Sequence, residues 1–413
     1  RRVLFRSEKV LEYNQDLKAA GYNEAMKQEM IKSARADFKP KLSAGGNFNY
    51  TGNPLELSID LPSMSSPLYF QGKDLKYGAT LSLSQPIYTG GGIRANYQKA
   101  RKEKELASNE SNRIKSNTLH DADIYYWNAV AQHELVFVAQ AFRTSIQQLV
   151  DVVHHRVEVE YIDRNDLLMA EVKLNDADFQ LLQTRDNAEI ARLALNSFAG
   201  VNPSDTLPID HSVIALKQFI PLSDAIDNAI TSRPEYRIAQ NKIELQESSR
   251  KIADARFLPQ FHIGVDGSYS SPGYNFKSDL DPNYAIYAKL SIPLFEWGKR
   301  KSTRNASSYA INMAQQNLSK AQDKIRLEIQ TAHYNYKQAI DKVKLTESSL
   351  SKASESEQMA MERYKEGNVS IVEVINAQLY HQQAQVNYIQ SKLNAQMAKT
   401  DFERAIYYLR EKE

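Results

Sequence analysis

Cysteine is absent from this chain of 413 residues. A chain without thiols forms no disulfide framework, no thiolate zinc site and no cysteine nucleophile. Charge is balanced as well: the formal net charge is +2, which indicates no nucleic-acid partner. The sequence lacks any run of about 18 apolar residues, so we predict no transmembrane helix. The eight histidines show no metal-ligand spacing, and we predict no cofactor.

Proline and glycine are missing from two long tracts. Residues 93–199 contain neither, and residues 294–413 contain no proline and only two glycines, Gly298 and Gly367. Both tracts are rich in Ala, Leu, Gln, Glu, Lys and Arg, which form helices readily. Apolar residues recur every three or four positions across residues 318–353. This spacing favours coiled-coil-like packing, and ordinary bundle helices are the alternative.

The chain is an internal duplication. The motif Phe-x-Pro at Phe38 repeats at an offset of 219, as Phe257 and Pro259. Later residues repeat at an offset of 207, so the first copy is 12 residues longer within the stretch that ends at Pro86. A length change confined to one connection indicates a surface loop, here residues 53–73. The residues that recur at the second offset are Tyr77, Leu83, Ser84, Pro86 and Gly91, which match Tyr284, Leu290, Ser291, Pro293 and Gly298.

Each copy predicts the same order of elements, and the predicted fold class is mainly α with a small antiparallel β portion. The first repeat, residues 8–199, has a helix at 8–38, strands at about 41–50 and 75–88, a long helix at 92–155, a tip turn at 157–164 and a helix at 165–199. Residues 200–221 are a linker. The second repeat, residues 222–413, has a helix at 222–257, strands at about 260–270 and 284–295, a long helix at 298–364, a tip turn at 365–369 and a helix at 370–409.

The predicted lengths indicate an oligomer. Strands of about ten alternating residues are long enough to cross a bilayer, although a half-buried soluble sheet alternates in the same way. A helix over residues 92–155 is on the order of 95 Å long, which fits a hollow cylinder or a coiled-coil rod. Four strands cannot close a barrel, so further chains must complete it. Two chains give eight strands and three chains give twelve with a lumen, so a trimer fits a channel best.

A single glycine marks the reversal of the second long helix. Gly367 can take the positive φ that ends a helix, and Ser370 then caps the next helix three residues before Glu373. We therefore predict a helical hairpin with a short polar tip.

These features together resemble the TolC family of bacterial outer-membrane efflux proteins. The resemblance covers the chain from about Glu8 to its end and rests on the duplication, the Phe-x-Pro motifs and the tip motif Arg363-Tyr364-x-x-Gly367-x-x-Ser370. It implies a homotrimer with a long α-helical barrel in the periplasm and a twelve-stranded β-barrel in the outer membrane. It implies the exit duct of a tripartite efflux or type I secretion system, and not an enzyme. The implied partners are a periplasmic membrane-fusion adaptor, an inner-membrane transporter of proton-driven or ABC type, and outer-membrane lipid.

The resemblance also assigns residues. The adaptor docks at two hairpin tips, which contain Val157, Glu160, Tyr161 and Ile162 in the first copy and Tyr364, Gly367, Asn368 and Val369 in the second. The periplasmic gate contains Asp166, Tyr364, Glu373 and Asn376, and Asp166 bonds the tyrosine of a neighbouring hairpin in the closed state. In a trimer Glu373 gives a ring of three carboxylates that favours cations. The strand-to-helix swivels are Pro86, Gly91, Pro293 and Gly298.

Several of these residues also have simpler interpretations. Asp166 and Glu373 are first-turn acids that complement a helix dipole, and Tyr364 can be a packing residue. His154 and His155 point to different helix faces, so we interpret them as solvated residues and not as metal ligands. The aromatic residues at the strand–helix junctions form either an interfacial girdle or junction packing: Tyr88, Tyr287, Phe295 and Trp297.

A second class of function stays open, a structural coiled-coil envelope scaffold without transport. The duplicated hairpins favour the duct, because a scaffold needs no strands of membrane length. The exported substrate cannot be identified, because drug, metal and protein export use the same kind of duct. Residues 2–7 spell the translation of a common sequencing adapter. We therefore expect residues 1–7 to be non-native and the true start, with its signal peptide, to be missing.

Overall fold

The computed structural model describes residues 9–205, 207–216, 226–273 and 279–407. The predicted class, mainly helical with a small antiparallel sheet, is confirmed. The helices are α1 (Gln15–Ala36), α2 (Gly92–Glu158), α3 (Arg164–Ala199), α4 (Ile226–Ser232), α5 (Pro234–Ala255), α6 (Lys299–Lys365) and α7 (Ile371–Ala405). The strands are β1 (Lys41–Tyr50), β2 (Glu56–Ile59), β3 (Leu68–Gln71), β4 (Leu75–Thr89), β5 (Gln260–Ser271) and β6 (Asp281–Ser291). Several predicted residues lie outside the described residues: the non-native residues 1–7, helix residues 8, 222–225 and 408–409, and linker residues 206 and 217–221.

Two helices that we predicted as continuous are interrupted. The helix expected over residues 8–38 breaks at Asn14, whose side-chain oxygen accepts a hydrogen bond from the Leu17 amide at 2.9 Å and caps α1. The helix expected over residues 222–257 breaks at Arg233, and α5 begins on Pro234. Proline suits the first helical position because the N–H it lacks has no partner there.

Four strands form one antiparallel sheet in the order β1-β4-β5-β6. β4 comes from the first copy and β5 from the second, and their pairing joins the two copies. The register shifts between Pro86 and Tyr88, where proline offers no N–H to the ladder. The last strand ends at Ser291, not at residue 295 as predicted, so Pro293 lies beyond it. Among the described residues β1 and β6 are edge strands, each paired on one side only.

The elongated connection of the first copy is more ordered than the surface loop we predicted. Within residues 53–73, β2 pairs with β3 from Glu56–Gln71 to Ile59–Leu68. Every residue of this hairpin is exposed.

The chain divides into two compact units, and each unit takes segments from both sequence copies. One unit, Asn23–Ala107 with Ala239–Asn317, contains the four-stranded sheet. The other, Arg1–Tyr22 with Ser108–Ile238 and Leu318–Glu413, is built from helical segments around apolar clusters. In the largest of these clusters the ring of Tyr336 stacks on that of Phe402, with centroids 5.9 Å apart.

The linker after α3 is fixed within the helical unit. Val213 is buried, and its amide donates to the Glu134 carboxylate at 2.7 Å. The Tyr126 hydroxyl donates to Asp210 at 2.7 Å. These bonds supply partners for a segment that has no ladder of its own.

A buried arginine holds the end of α7. The Arg233 side chain is 5% exposed and pairs with Glu235 at 2.9 Å and with Glu328 at 3.2 Å. Its Nη1 donates to the Ala405 carbonyl at 2.8 Å. The guanidinium therefore satisfies a helix C-terminal carbonyl that has no partner within the helix.

Candidate functional site

The first helical reversal, which we call tip 1 (residues 159–163), closes with two backbone hydrogen bonds. The Glu160 amide donates to the Val157 carbonyl at 3.0 Å, and the Tyr161 amide donates to the Arg156 carbonyl at 2.9 Å. This pattern is a Schellman motif, which places one residue in the left-handed region. That residue is Glu160, with φ of 54°. Asp163 then caps α3 by accepting from the Asn165 amide at 2.7 Å.

The second reversal, which we call tip 2 (residues 366–370), repeats this geometry. The amides of Gly367 and Asn368 donate to the carbonyls of Tyr364 and Arg363, each at 2.9 Å. Gly367 has φ of 81°, and the Ser370 side chain caps α7. The two tips therefore share one turn at the offset of 207 seen in the sequence. Only tip 2 has glycine at the left-handed position.

The two tips contact each other. A β-carbon built on Gly367 would lie 3.1 Å from the hydroxyl oxygen of Tyr161. This separation is tighter than an ordinary van der Waals contact, so the missing side chain of Gly367 makes room for Tyr161. Glu160, Tyr161, Gly367 and Asn368 are exposed, and Val157, Ile162 and Val369 are half-buried. Seven of the eight predicted docking residues are therefore exposed or half-buried, whereas the eighth, Tyr364, is buried beneath the tips.

Arg156 joins the two tips. Its guanidinium carbon lies 4.7 Å from the ring centroid of Tyr364 and 5.4 Å from that of Tyr161. Its Nη2 also donates to the Lys365 carbonyl at 2.7 Å, at the end of α6. Stacking on aromatic rings and capping of a helix end are both favourable for a guanidinium. We did not assign a role to Arg156 from the sequence, although it lies 207 positions before Arg363 of the tip motif, which is the offset of the duplication.

Tyr364 lies in the core under the tips and is 3% exposed. It packs with the apolar residues Leu149, Val150, Val153, Ala170, Ile371, Val374 and Ile375. Its hydroxyl is buried and has no hydrogen-bond partner among the described residues. Burial raises the pKa of the Tyr364 phenol; the charge of Arg156 opposes this shift and that of Asp166 adds to it. Packing, the simpler of our two interpretations, describes the position of the ring.

Of the other predicted gate residues, Asp166 and Glu373 lie in the first turns of α3 and α7, and Asn376 lies in the second turn of α7. Asp166 is half-buried, and Glu373 and Asn376 are exposed. Glu373 and Asn376 are three residues apart and so share a helix face. Within one chain Asp166 and Tyr364 are near each other but do not form a hydrogen bond.

A polar layer lies about two to four turns from the tips, on α2, α6 and α7. The Ser145 hydroxyl donates to Glu357 at 2.8 Å, and His381 pairs with the second oxygen of that carboxylate. Gln378, which is buried, donates to the Ser145 hydroxyl at 2.8 Å. These bonds connect α2, α6 and α7, and they fix the relative register of the helices that carry the tips. This layer could not be predicted from the sequence, because its members are polar residues far apart in the chain.

The predicted swivels lie in the unit that contains the sheet, not at the tips. Gly91 and Gly298 have φ of 82° and 80°, and nothing lies within 4 Å of a β-carbon built on either. The left-handed backbone conformation, and not a close contact, therefore favours glycine at both positions. Pro86 lies at the register shift of β4.

No helix in the described part of the chain combines the length and the apolar character needed to cross a membrane. No group of three or more His, Cys, Asp and Glu side chains there could hold a metal ion.

The chain is similar in sequence to known outer membrane efflux proteins. The chain is 24% identical over 298 residues to the solvent efflux pump outer membrane protein SrpC of Pseudomonas putida, covering 71% of this chain and 61% of that protein. It is 21% identical over 302 residues to the outer membrane efflux protein BepC of Brucella suis, covering 72% of this chain and 65% of BepC. The chain thus spans less than two thirds of the length of these curated relatives.

A solved channel has the same fold. The CmeC outer membrane channel of Campylobacter jejuni superimposes with a TM-score of 0.80 at 18% identity, covering 98% of this chain and 85% of CmeC. The family profile for outer membrane efflux proteins matches residues 7–201 and 225–406. These matches confirm the predicted family and the predicted location in the outer membrane. The chain belongs to the outer membrane efflux protein family.

Proposed function

We propose that this chain is the exit duct of a tripartite efflux or secretion system in the outer membrane. It works as a homotrimer, and its hairpin tips dock a periplasmic adaptor that connects it to an inner-membrane transporter of proton-driven or ABC type. The observation that carries the proposal is the pair of equivalent tips, locked together by Arg156 and exposing Tyr161, Gly367 and Asn368 on one surface. A relative, SrpC, is named as a part of a solvent efflux pump.

The sheet supports the oligomer. Among the described residues β1 and β6 each leave one side unpaired, and many of their apolar side chains are exposed. An open edge cannot persist in lipid, where unpaired amides find no water. If β1 of one chain pairs with β6 of the next, three chains close a barrel of twelve strands around an axis. The exposed apolar side chains of the strands then face the outer-membrane lipid.

Conductance measurements test the duct directly. The purified chain should migrate as a heat-sensitive trimer and produce discrete current steps in a planar lipid bilayer. A hollow trimer conducts ions and a scaffold does not. Extraction without detergent as a soluble protein, together with an unchanged bilayer current, would contradict the proposal.

The gate has a separate test. We propose that Asp166 accepts a hydrogen bond from Tyr364 of the neighbouring hairpin in the closed state, which requires the buried hydroxyl to move outward. A hydrogen bond to a charged group contributes about 1.5–3 kcal/mol, so its loss shifts a closed–open equilibrium at least about tenfold. Asp166→Ala and Tyr364→Phe should therefore raise the open probability in the planar bilayer.

Tyr161→Phe is the matched control, because Tyr161 is exposed and its role at tip 1 does not involve the gate. Its open probability should equal that of the unmodified chain. Equal open probability in all four proteins would contradict the proposed gate but not the proposed duct.

Glu373→Gln should lower cation selectivity without opening the channel, since it removes a ring of three carboxylates.

A further inference from the structure

A row of exposed apolar side chains leads from β6 toward the start of α6. Tyr284, Ile286 and Leu290 alternate along β6 and therefore lie on one face of the strand. Ile292 and Leu294 continue this spacing past the end of the strand, and Leu294 is 91% exposed. The row does not end with the strand, so an apolar surface reaches the strand–helix junction.

Trp297 is the next large side chain at this junction, and it is 90% exposed. Its ring packs edge-on against Phe295, with centroids 4.9 Å apart. Its backbone has φ of 46°, a left-handed conformation that is unfavourable for any residue except glycine. The equivalent residue of the first copy is Gly90, with φ of 62°. The second copy therefore places an exposed indole where the first copy has glycine.

Three basic residues follow Trp297 and Gly298 directly in the sequence. Lys299, Arg300 and Lys301 open α6 and are all exposed, and the first turn contains no acidic residue. Positive charge at a helix N-terminus opposes the helix dipole, so these cations do not stabilise the helix itself. Lys299 lies 3.8 Å from Glu296, whereas Arg300 and Lys301 have no ion pair in the part of the chain that the structure describes.

The first copy again lacks this feature. The residues equivalent to Lys299 and Arg300 are Gly92 and Ile93, and only Arg94 matches a cation. The apolar row, the indole and the cations thus occur together at one of the two strand–helix junctions. Apolar surface, then an amphipathic ring, then positive charge is the order met on leaving a bilayer through its headgroups.

We propose that residues 294–301 bind anionic phospholipid in the leaflet nearer α6. Leu294 and Phe295 contact the acyl chains, Trp297 lies at the headgroup boundary, and Arg300 and Lys301 bind the lipid phosphates. The charge of these two side chains is complementary to anionic headgroups and unmatched within the described chain. This inference rests on the proposed function, because it requires the sheet to lie in the bilayer.

The chain has a built-in reporter, since it contains only two tryptophans, Trp127 and Trp297. Trp127→Phe leaves Trp297 as the single fluorophore at the proposed site. Trp297→Phe leaves Trp127, which is 9% exposed in an apolar cluster of the helical unit, as the matched control. Each trimer is reconstituted in vesicles of phosphatidylcholine and phosphatidylglycerol, with one lipid or the other brominated as a quencher.

We expect brominated phosphatidylglycerol to quench Trp297 more strongly than brominated phosphatidylcholine, and neither to quench Trp127. Each cation near a membrane surface changes anionic-lipid binding by about fivefold. Adding Arg300→Gln and Lys301→Gln should therefore lower the preference by at least about tenfold, while single-channel conductance stays unchanged. If the Trp127→Phe chain does not fold, the difference between the unmodified and Trp297→Phe signals gives the same quantity.

Equal quenching of Trp297 by both lipids, or no quenching at all, overturns the lipid site when trimers and conductance persist. A preference that survives the loss of both cations also overturns it. Failure to insert into vesicles and to conduct ions would instead contradict the proposed duct.

Discussion

Replacing Gly367 with glutamate should abolish efflux and leave a folded trimer. The backbone tolerates this residue, because Glu160 adopts the same left-handed conformation in tip 1. We expect a loss of about 1–2 kcal/mol in the free energy of unfolding from the strained φ. The new side chain also enters the surface shared with Tyr161, where even a β-carbon would lie 3.1 Å from the hydroxyl oxygen.

The functional loss should be larger than the loss of stability. Central residues of an interface contribute about 2 kcal/mol or more each, so adaptor affinity should fall at least about thirtyfold. The measurement is drug resistance in a strain that lacks its own channel and carries the cognate adaptor and transporter, with adaptor binding measured in parallel. Gly367→Ala separates the two causes, since it adds the β-carbon and the strain without a charge.

Glu160→Gly is the matched control at the equivalent position. It removes a strained residue, so the trimer should unfold at a higher temperature and efflux should persist. Retained efflux in the Gly367→Glu strain, with normal amounts of protein in the outer membrane, would show that tip 2 does not dock the adaptor.

Arg233→Ala should lower the free energy of unfolding more than Gly367→Glu does. Removing one member of a buried ion-pair network costs about 3–5 kcal/mol, because the remaining charges stay buried and unpaired. Here the substitution leaves Glu235 and the Ala405 carbonyl without their partner, while Glu328 keeps Arg404 at 3.0 Å. That remaining pair places the expected loss near the lower end, at about 3 kcal/mol. Thermal unfolding in detergent, followed by circular dichroism, measures it.

Arg326→Ala provides the control on the neighbouring helix. Arg326 lies on α6 and pairs with Asp323 at 3.6 Å, and both side chains are at least half exposed. Exposed pairs contribute about 0–1 kcal/mol, so the unfolding temperature should hardly change. Similar losses from both substitutions would mean that the buried network around Arg233 does not hold the end of α7.

The helices and their reversals could be predicted because their causes are local. Residues 93–158 and 299–365 contain neither proline nor glycine, which allows each stretch to continue as a helix without a break. Gly367 and Ser370 are a stop and a cap within one short stretch, and the structure uses both. The break at Asn14 has a local cause too, but a single asparagine is a weak signal among the helix-forming residues around it.

The tip could be located from the sequence, but its internal contacts could not. Arg156 and Lys365 are 209 positions apart, and no periodicity connects them. A tyrosine hydroxyl is expected to find a hydrogen-bond partner. The ring of Tyr364 is nevertheless buried, and its hydroxyl has no partner in the described chain. Both facts depend on which helices pack together.

The duplication, the mainly helical character and the two equivalent reversals of the chain could all be predicted from its sequence. These properties follow from propensity, turn chemistry and internal repetition, which are all visible along one dimension. Three-dimensional packing was needed to show that each compact unit combines segments of both copies, and that Arg156 contacts both Tyr161 and Tyr364, one in each hairpin. The physical reason is that burial and hydrogen bonding depend on packing between distant segments, which local spacing does not encode.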